Sequence, residues 1–459
     1  KGCLNTSPTF CKEVIRVMTL PAVFQTAFGC TLALSGLYLT CFLRFYPQRR
    51  IFRALFSFFK GSVSKKDGQE GISSFSASAA ALAGTLGTGN IAGVAAALVS
   101  GGAGAVFWMW VSAFFGMALK YAEIFLSARL SREESDGPIS YIQKAFPGGK
   151  LAILFAAGCT GASFGIGNLA QVNAAAESMY DACGFPRILT GVLIAAAVFL
   201  IYSGGKKQVA SLAAWFVPLT GGVYLAAALW IILPRLSLLP GVFRMIVSDA
   251  FTPGAVGGGM VGFLTGRAFR CGIARGVFTN EAGLGSAPII HSASCPSSPE
   301  EEGLWGVAEV TLDTLVMCTL TAAVILVTAP HSPGSDSISL TAEAFSSALG
   351  GWAKLFLAGA SLLFAFSSIL TWEWCGESAL LFLCPNQTGI RIYHLLFLAA
   401  CVLGSVLPVK AVLSISDLLN FYMCLPNLLA IFRLKGELKT KSPKSSAYKK
   451  QKLQIPFAE

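Results

Sequence analysis

Long apolar segments dominate this sequence and limit what it can fold into. Only 12% of the residues are charged, whereas soluble domains carry about 25%. No convincing alternating strand pattern interrupts the apolar runs, so every element is expected to be helical. A bilayer-spanning helix needs roughly 20 apolar residues. The sequence predicts an all-α integral membrane protein with about eleven transmembrane helices, near residues 18–43, 73–99, 102–127, 150–180, 187–204, 208–234, 268–290, 303–329, 351–383, 391–408 and 412–433.

The basic residues indicate how these helices are oriented. Of the 34 lysines and arginines, 22 fall in one alternate set of loops together with the C-terminal tail, and nine fall on the opposite side. Cytoplasmic loops carry the excess of such residues. We therefore expect a multi-pass protein of the cell membrane with its N-terminus outside and its tail in the cytoplasm. This charge placement also argues against nucleic acid as the partner of a chain with net charge +11.

Two apolar segments are interrupted by glycine-rich stretches. The first reads AGTLGTGNIAGVAAA at residues 83–97 and the second reads GVFTNEAGLGSAPI at residues 276–289. Glycine disfavours a helix interior by up to about 1 kcal/mol relative to alanine, and irregular backbone survives in a bilayer only where protein or a cavity supplies partners. Paired interruptions of this kind are typical of a transporter binding site. We call them the first and second breaks and expect them to face each other around a solute and a cation.

The position of the breaks divides the chain. Without its first segment, the chain has ten spans, and each break lies in the first span of one group of five. The charge count makes these two spans run in opposite directions, which predicts two inverted repeats. The expected units are an extra N-terminal helix with a basic cytoplasmic loop (1–72), the first repeat (73–234), the second repeat (235–433) and a basic cytoplasmic tail (434–459).

The residues in the breaks permit more than one interpretation. Backbone N–H groups freed near Thr85 to Asn90 suit a carboxylate, while freed carbonyls and the Asn90 amide oxygen suit sodium. Close packing is the alternative, because Gly89 and Gly93 have the GxxxG spacing of helix interfaces. In the second break, Asn280 and Glu281 could orient the backbone or bind a cation, and we favour a structural role for Glu281.

Polar residues in three other segments are further candidates. Ser367 and Ser368 could complete an oxygen shell for sodium or could bond back to their own helix. Ser368 and Trp372 are four residues apart, so they share a helix face that could floor a small pocket. Gln171 could form a hydrogen bond between helices or could bind the transported solute. Asp313 could serve a proton, a cation or an internal pair.

Other functional classes receive little support. The 13 cysteines lie mostly within apolar segments without metal-type spacing, and the three histidines are far apart in sequence. No convergent nucleophile–base or metal set is visible, so we do not expect an enzyme or a bound cofactor. An ion channel remains the alternative class.

Several motifs together resemble the alanine/glycine:cation symporter family of the amino acid–polyamine–organocation superfamily. They occur in family order between residues 35 and 432: GTGNIAGVAAA, GAVFWMWVSAFFGMALKYAE, SFGIGNLAQVN, RGVFTNEAGLGSAPIIH, LDTLVMCTLTA and LFAFSSIL-W. The resemblance implies a leucine-transporter-type fold and sodium-coupled uptake of alanine, glycine or another small neutral amino acid. Proton-coupled uptake of a different small amino acid is the alternative, and a monomer suffices for either.

The resemblance also implies which residues bind. The substrate site would comprise Thr85, Gly87, Thr88, Gly89, Asn90, Gln171, Phe278, Thr279, Ser368 and Trp372. The sodium ion would meet carbonyls near Ala83 and Leu86 and the hydroxyls of Ser367 and Ser368. The chain departs from the family pattern at Thr371 and Glu373, which flank the pocket tryptophan.

Overall fold

The computed structural model describes residues 22–63, 72–131, 137–251, 266–294, 298–328 and 337–439. The start of the first predicted span and residues 440–459 of the predicted tail lie outside this part. The described residues are helical apart from turns, short connections and one isolated backbone bridge between Ile72 and Ser294. The prediction of an all-helical chain is confirmed.

Twenty α-helices follow one another in the described residues. Those of the first half are α1 Ala22–Phe42, α2 Tyr46–Arg49, α3 Ile51–Val63, α4 Ser74–Thr85, α5 Ala92–Gly101, α6 Gly104–Leu130, α7 Gly137–Ala145, α8 Lys150–Phe164, α9 Ala170–Cys183, α10 Arg187–Tyr202, α11 Gly205–Ile232 and α12 Leu239–Ala250. Those of the second half are α13 Arg267–Asn280, α14 Ser286–Ser292, α15 Pro299–Val310, α16 Thr319–Thr328, α17 Ser337–Leu349, α18 Trp352–Leu383, α19 Gln387–Gly404 and α20 Val409–Arg433.

Seven continuous helical stretches in the described residues are long and apolar enough to cross a membrane, which makes the chain a multi-pass membrane protein. They are Gly104–Leu130, Lys150–Cys183, Gly205–Ala250, Pro299–Thr328, Trp352–Leu383, Gln387–Gly404 and Ile415–Arg433. Shorter apolar helices occupy Ala27–Phe42, Ala92–Gly101 and Arg187–Tyr202.

The four-residue α2 and the longer helices α3 and α12 lie where the sequence predicted loops. Helix α3 lies in the basic loop before the first break, and its Phe58 packs against Trp305 of α15 at a ring-centroid distance of 5.9 Å. Helix α12 follows α11 and packs along α6. Both are amphipathic and too short to span a bilayer, so a search for apolar runs of spanning length overlooks them.

Helix α6 lies at the centre of one side of the molecule, where it packs against α1, α12, α13, α14 and α15. Helix α18 occupies a comparable position on the other side and packs against α4, α8, α9 and α11. Both broken segments lie between these two long helices. This arrangement places the breaks in the interior, where side chains from both groups reach them.

Two long helices contain π-helical turns that the sequence analysis did not predict. Residues Gly165–Leu169 join α8 to α9, and residues Thr311–Cys318 join α15 to α16. A π turn widens the helix locally and often marks a functional site. Trp372 packs directly against Gly167 in the first of these turns. An added Cβ on Gly167 would collide with the tryptophan side chain.

Substitution of Gly285 tests the backbone conformation and the packing of the second break. The φ of Gly285 is +87°, and an added Cβ would lie 2.9 Å from Phe155 Cε2. Gly285→Ala should lower the free energy of unfolding by about 1–2 kcal/mol because alanine disfavours the left-handed backbone. Crowding of the added methyl group should lower it by about 1–3 kcal/mol more. Gly205→Ala is the matched control, since its φ is +77° and nothing lies within 4 Å of the added Cβ. Thermal unfolding of the purified protein should show the larger loss for Gly285→Ala, and equal losses would contradict the described packing.

Candidate transport site at the two helix breaks

The first break separates α4 from α5. Helix α4 ends at Thr85, Leu86 leaves the helical conformation with ψ +69°, and Gly87 is extended. A single 3₁₀ turn, Thr88–Asn90, precedes α5. The predicted interruption is present, and each of these residues is buried.

Side chains from neighbouring helices donate to three backbone carbonyls near the first break. Of these, the Ala83 carbonyl is the one that the break frees, because the Gly87 N–H turns to Thr85 instead. Ser368 donates its hydroxyl to the Ala83 carbonyl at 2.8 Å, and Thr371 donates to the Ala80 carbonyl at 3.0 Å. On the other side of the break, Thr341 donates to the Ile91 carbonyl at 3.2 Å. Buried backbone groups need such partners. Helices α17 and α18 therefore hold the interrupted segment in place.

The second break separates α13 from α14 and contains three residues with positive φ: Glu281 (+52°), Gly283 (+89°) and Gly285 (+87°). Lys120 donates to the Asn280 carbonyl at 3.3 Å, and Asn427 donates to the Gly283 carbonyl at 2.9 Å. A non-glycine residue in the left-handed region costs about 1–3 kcal/mol and persists only where its surroundings impose it. The conformation at Glu281 is therefore imposed by these contacts from other helices.

Gly87 lies where three of the predicted substrate residues meet. A Cβ on Gly87 would lie 2.7 Å from Gln171 Oε1 and 2.8 Å from Ser368 Oγ. The backbone N–H and the hydroxyl of Thr88 both donate to Gln171 Oε1 at 3.0 Å. Gln171 thus connects α9 directly to the first break.

The two breaks face each other, as the sequence predicts. A Cβ on Gly89 would lie 3.1 Å from Thr279 Cγ2 and 3.6 Å from the Phe278 ring. Both of these residues belong to the last turn of α13, which precedes the second break. All ten predicted substrate residues thus lie at the first break or in elements that contact it: Thr85, Gly87, Thr88, Gly89, Asn90, Gln171, Phe278, Thr279, Ser368 and Trp372.

Trp372 is bonded to the second break and lies close to α4. Its indole N–H donates to Glu281 Oε1 at 3.0 Å, and the other carboxylate oxygen accepts the Ser286 hydroxyl at 2.6 Å. A Cβ on Gly84 of α4 would lie 4.0 Å from the indole nitrogen. Glu281 therefore orients the predicted pocket tryptophan. The sequence favours a structural role for Glu281 but does not identify this partner.

The four predicted sodium ligands are adjacent, and two of them bond to each other. Ser368 donates to the carbonyl of Ala83, whereas Ser367 donates to the Phe364 carbonyl of its own helix at 3.0 Å. Leu86 is the C-cap of α4, three residues beyond Ala83. In this arrangement the Ser367 hydroxyl follows the helix-bonding alternative that the sequence left open.

A second group of oxygen atoms lies at Asn90, the last residue of the 3₁₀ turn in the first break. Asn90 donates its amide hydrogen to Asp313 Oδ1 at 2.7 Å, and Thr314 donates to Asp313 Oδ2 at 2.7 Å. The hydroxyl of Thr279 lies 3.4 Å from that of Thr314. The amide oxygen of Asn90 is buried without a hydrogen-bond partner among the described residues. This group has carboxylate, amide and hydroxyl oxygens, which are the ligands that hard cations prefer.

An all-helical membrane fold with two facing helix breaks is typical of a secondary transporter. Residues 9–457 of the chain match the sodium:alanine symporter family. The chain belongs to this family, which is a family of transporters and not of enzymes.

Individual relatives agree with this assignment. The chain is 36% identical to the sodium/alanine symporter AgcS of Methanococcus maripaludis over 416 residues, covering 88% of this chain and 90% of that protein. It is 38% identical to an uncharacterized transporter of Haemophilus influenzae, with 87% and 89% covered. It is 36% identical to the amino-acid carrier protein AlsT of Bacillus subtilis, with 83% and 82% covered.

The bond between Trp372 and Glu281 should contribute measurably to stability. Trp372→Phe keeps an aromatic ring but removes the N–H donor, so the buried Glu281 carboxylate keeps the Ser286 hydroxyl and loses the indole donor. The expected cost is about 1–3 kcal/mol, seen as a lower thermal unfolding midpoint. Trp215→Phe is the control, because Trp215 is 64% exposed and surface changes stay within about 0.5 kcal/mol. Similar midpoints for both variants would show that the bond is not made.

Proposed function

We propose that this protein couples the inward movement of sodium to the uptake of alanine, glycine or another small neutral amino acid by alternating access. The observation that carries the proposal is the meeting of the two breaks around Gly87 and Gly89, with Gln171, Ser368 and Trp372 beside them. The family assignment supports the same class of activity.

The proposed architecture has eleven spans. Helices or broken helices lie at each of the eleven predicted positions, and each break lies in the first of five consecutive segments. We assign residues 73–234 and 235–433 to inverted repeats of the leucine-transporter type that rock against each other around the site. In this assignment the protein lies in the cell membrane, with its N-terminus outside and its tail in the cytoplasm.

A zwitterionic substrate needs a partner for each charge, because an isolated buried charge costs many kcal/mol. The carboxylate would take the backbone N–H groups of the first break, and the ammonium would take freed carbonyls and Gln171 Oε1. In this structure Gln171 Oε1 accepts hydrogen bonds from the backbone N–H and the hydroxyl of Thr88. The ammonium would therefore compete with Thr88 for this oxygen. Phe278 and Trp372 are both buried and would limit the substrate side chain to about the size of a methyl group.

Two oxygen groups compete for the sodium ion. One comprises Ala83, Leu86, Ser367 and Ser368, as the family resemblance implies. The other comprises Asn90, Thr279, Asp313 and Thr314 and contains a buried carboxylate. With one sodium for each neutral substrate, one net charge crosses the membrane. A potential of 100 mV then contributes about 2.3 kcal/mol, or roughly fiftyfold accumulation.

The direct test is uptake of labelled alanine by proteoliposomes that contain the purified protein. An inward sodium gradient should drive accumulation above the external concentration, and an equal concentration of sodium on both sides should not. Potassium in place of sodium is the control for ionic strength. Uptake that is indifferent to sodium contradicts the proposal, and continuous ion current without alanine indicates a channel.

Trp372→Ala should widen the range of substrates. Removing the indole opens space beside the first break, so larger neutral amino acids such as valine and leucine should compete better with labelled alanine. A single methylene is worth only about 1–3 kcal/mol in such a pocket, so the change should be graded with side-chain size. Trp374→Ala is a matched control for the loss of a neighbouring buried tryptophan. An unchanged competition profile would place Trp372 outside the pocket.

The two oxygen groups can be separated by mutation. Asp313→Asn removes the carboxylate from one group, and Ser368→Ala removes a hydroxyl from the other. If sodium binds at Asp313, the sodium concentration for half-maximal uptake should rise far more in Asp313→Asn than in Ser368→Ala, because carboxylate is the stronger ligand. The opposite ranking assigns the ion to the group around Ser368.

A further inference from the structure

A buried histidine bridges two buried glutamates at one end of the broken helices. His291 of α14 places Nδ1 2.7 Å from Glu302 Oε1 and Nε2 2.8 Å from Glu309 Oε1. The two glutamates are seven residues apart, so they project from the same face of α15. None of the three residues is more than 1% exposed.

A neutral imidazole and two ionised carboxylates hold one proton, but hydrogen bonds from the ring to both glutamates require two. A carboxylate only accepts hydrogen bonds, and a neutral imidazole has one N–H and one lone pair. With a neutral ring, one ring nitrogen would direct its lone pair at a carboxylate oxygen. A doubly protonated ring can donate to both glutamates.

The surrounding hydroxyls fit ionised carboxylates. Ser78 of α4 donates to Glu309 Oε1 at 2.8 Å, and the Ser294 hydroxyl, with one proton, lies 2.6 Å from Glu302 Oε1 and 2.8 Å from the His291 carbonyl oxygen. The second oxygen of each glutamate is buried without a hydrogen-bond partner among the described residues. Two buried carboxylates need compensating positive charge, and the His291 ring supplies it in direct contact.

Other charged groups on the neighbouring elements lie farther away. Lys120 of α6 and Glu281 of the second break act on Glu309 through space and with opposite sign. Glu300 and Glu301 lie in the first turn of α15, where Glu301 is 3.7 Å from Arg53 of α3. Both ring nitrogens of His291 are occupied by Glu302 and Glu309.

The cluster connects both broken helices to a third helix. Ser78 lies in the second turn of α4, His291 is the last residue but one of α14, and Glu302 lies in the first turn of α15. Because all three helices begin or end here, the cluster lies near one aqueous face. In the orientation proposed above, this face is cytoplasmic.

We propose that His291, Glu302 and Glu309 form a proton-binding site that holds the inner halves of both broken helices against α15. When these halves separate to open the inner side, one N–H bond of the imidazolium breaks and its proton passes to water. The ring is then neutral, and both carboxylates remain ionised. Closure takes the proton back from the same side, so alkaline cytoplasm favours the inward-open state. This role rests on the proposed transport function, whereas the presence of the proton does not.

The proton can be detected without substrate. The chain contains three histidines, His291, His331 and His394, so His331→Gln with His394→Gln leaves one ring to observe. In the untagged chain of residues 1–459 labelled with ¹⁵N-histidine, magnetic resonance should show two protonated ring nitrogens at about pH 8, where a free imidazole of pKa about 6.5 is almost entirely neutral. Adding Glu302→Gln removes one carboxylate and should yield a singly protonated ring. A neutral His291 ring in the protein with both glutamates overturns the proposal.

The consequence for transport can be measured separately. Sodium-driven alanine uptake into proteoliposomes should rise several-fold when the internal pH is raised from about 7 to about 8.5, and it should not rise when only the external pH changes. His291→Gln and Glu302→Gln should abolish the response to internal pH. His394→Gln is the matched control, because His394 also contacts a glutamate, Glu377, at 3.1 Å but lies elsewhere. A wild-type protein without the response, or a His291→Gln protein that retains it, contradicts the proposed release of the proton.

If sodium drives no alanine uptake at all, the proposed function fails, and the ring measurement still decides whether the proton site exists.

Discussion

The need to satisfy backbone groups in the middle of a helix shapes this structure more than any other constraint. An unbroken helix satisfies its own N–H and carbonyl groups, but a broken helix inside a membrane protein needs hydrogen-bond partners from other segments. At the first break the Ser368 hydroxyl satisfies the freed Ala83 carbonyl, and Thr341 and Thr371 donate to carbonyls beside it. At the second break Lys120 and Asn427 satisfy the carbonyls of Asn280 and Gly283. These partners come from helices on both sides of the molecule, so the two breaks fix the relative positions of the helix groups around them.

The same constraint explains why small and polar residues concentrate at the centre. Gly87 and Gly89 allow Gln171, Ser368 and Thr279 to approach the first break closely. Glu281 adopts a left-handed backbone conformation and uses its carboxylate to orient Trp372. The residues at which the helices are interrupted, and the side chains that contact them, therefore also lie at the candidate site. The ligands that we propose, a small zwitterion and a cation, carry charges that match freed backbone groups and oxygen atoms.

Much of the fold could be predicted because membrane helices leave a strong local signal. Apolar length located the segments, and glycine located both breaks. Helices α3 and α12 were missed because their apolar faces are intermittent and short. The contacts within the site were harder to predict, since Glu281 and Trp372 are 91 positions apart. Likewise, His291 and its glutamates lie in different helices, and a lone histidine beside an acidic turn carries no distinctive spacing. Such pairings depend on tertiary packing, which local sequence patterns do not encode.

The most direct test of the account is the binding of labelled alanine to the purified protein in saturating sodium, compared between Gly87→Ala and Gly359→Ala. A methyl group on Gly87 would enter the space between Gln171 and Ser368, whereas one on Gly359 meets nothing within 4 Å. If the two breaks enclose the substrate, Gly87→Ala should lose most of its alanine binding while remaining folded, and Gly359→Ala should bind like the unmodified protein. Unchanged alanine binding by Gly87→Ala would contradict a site at the helix breaks.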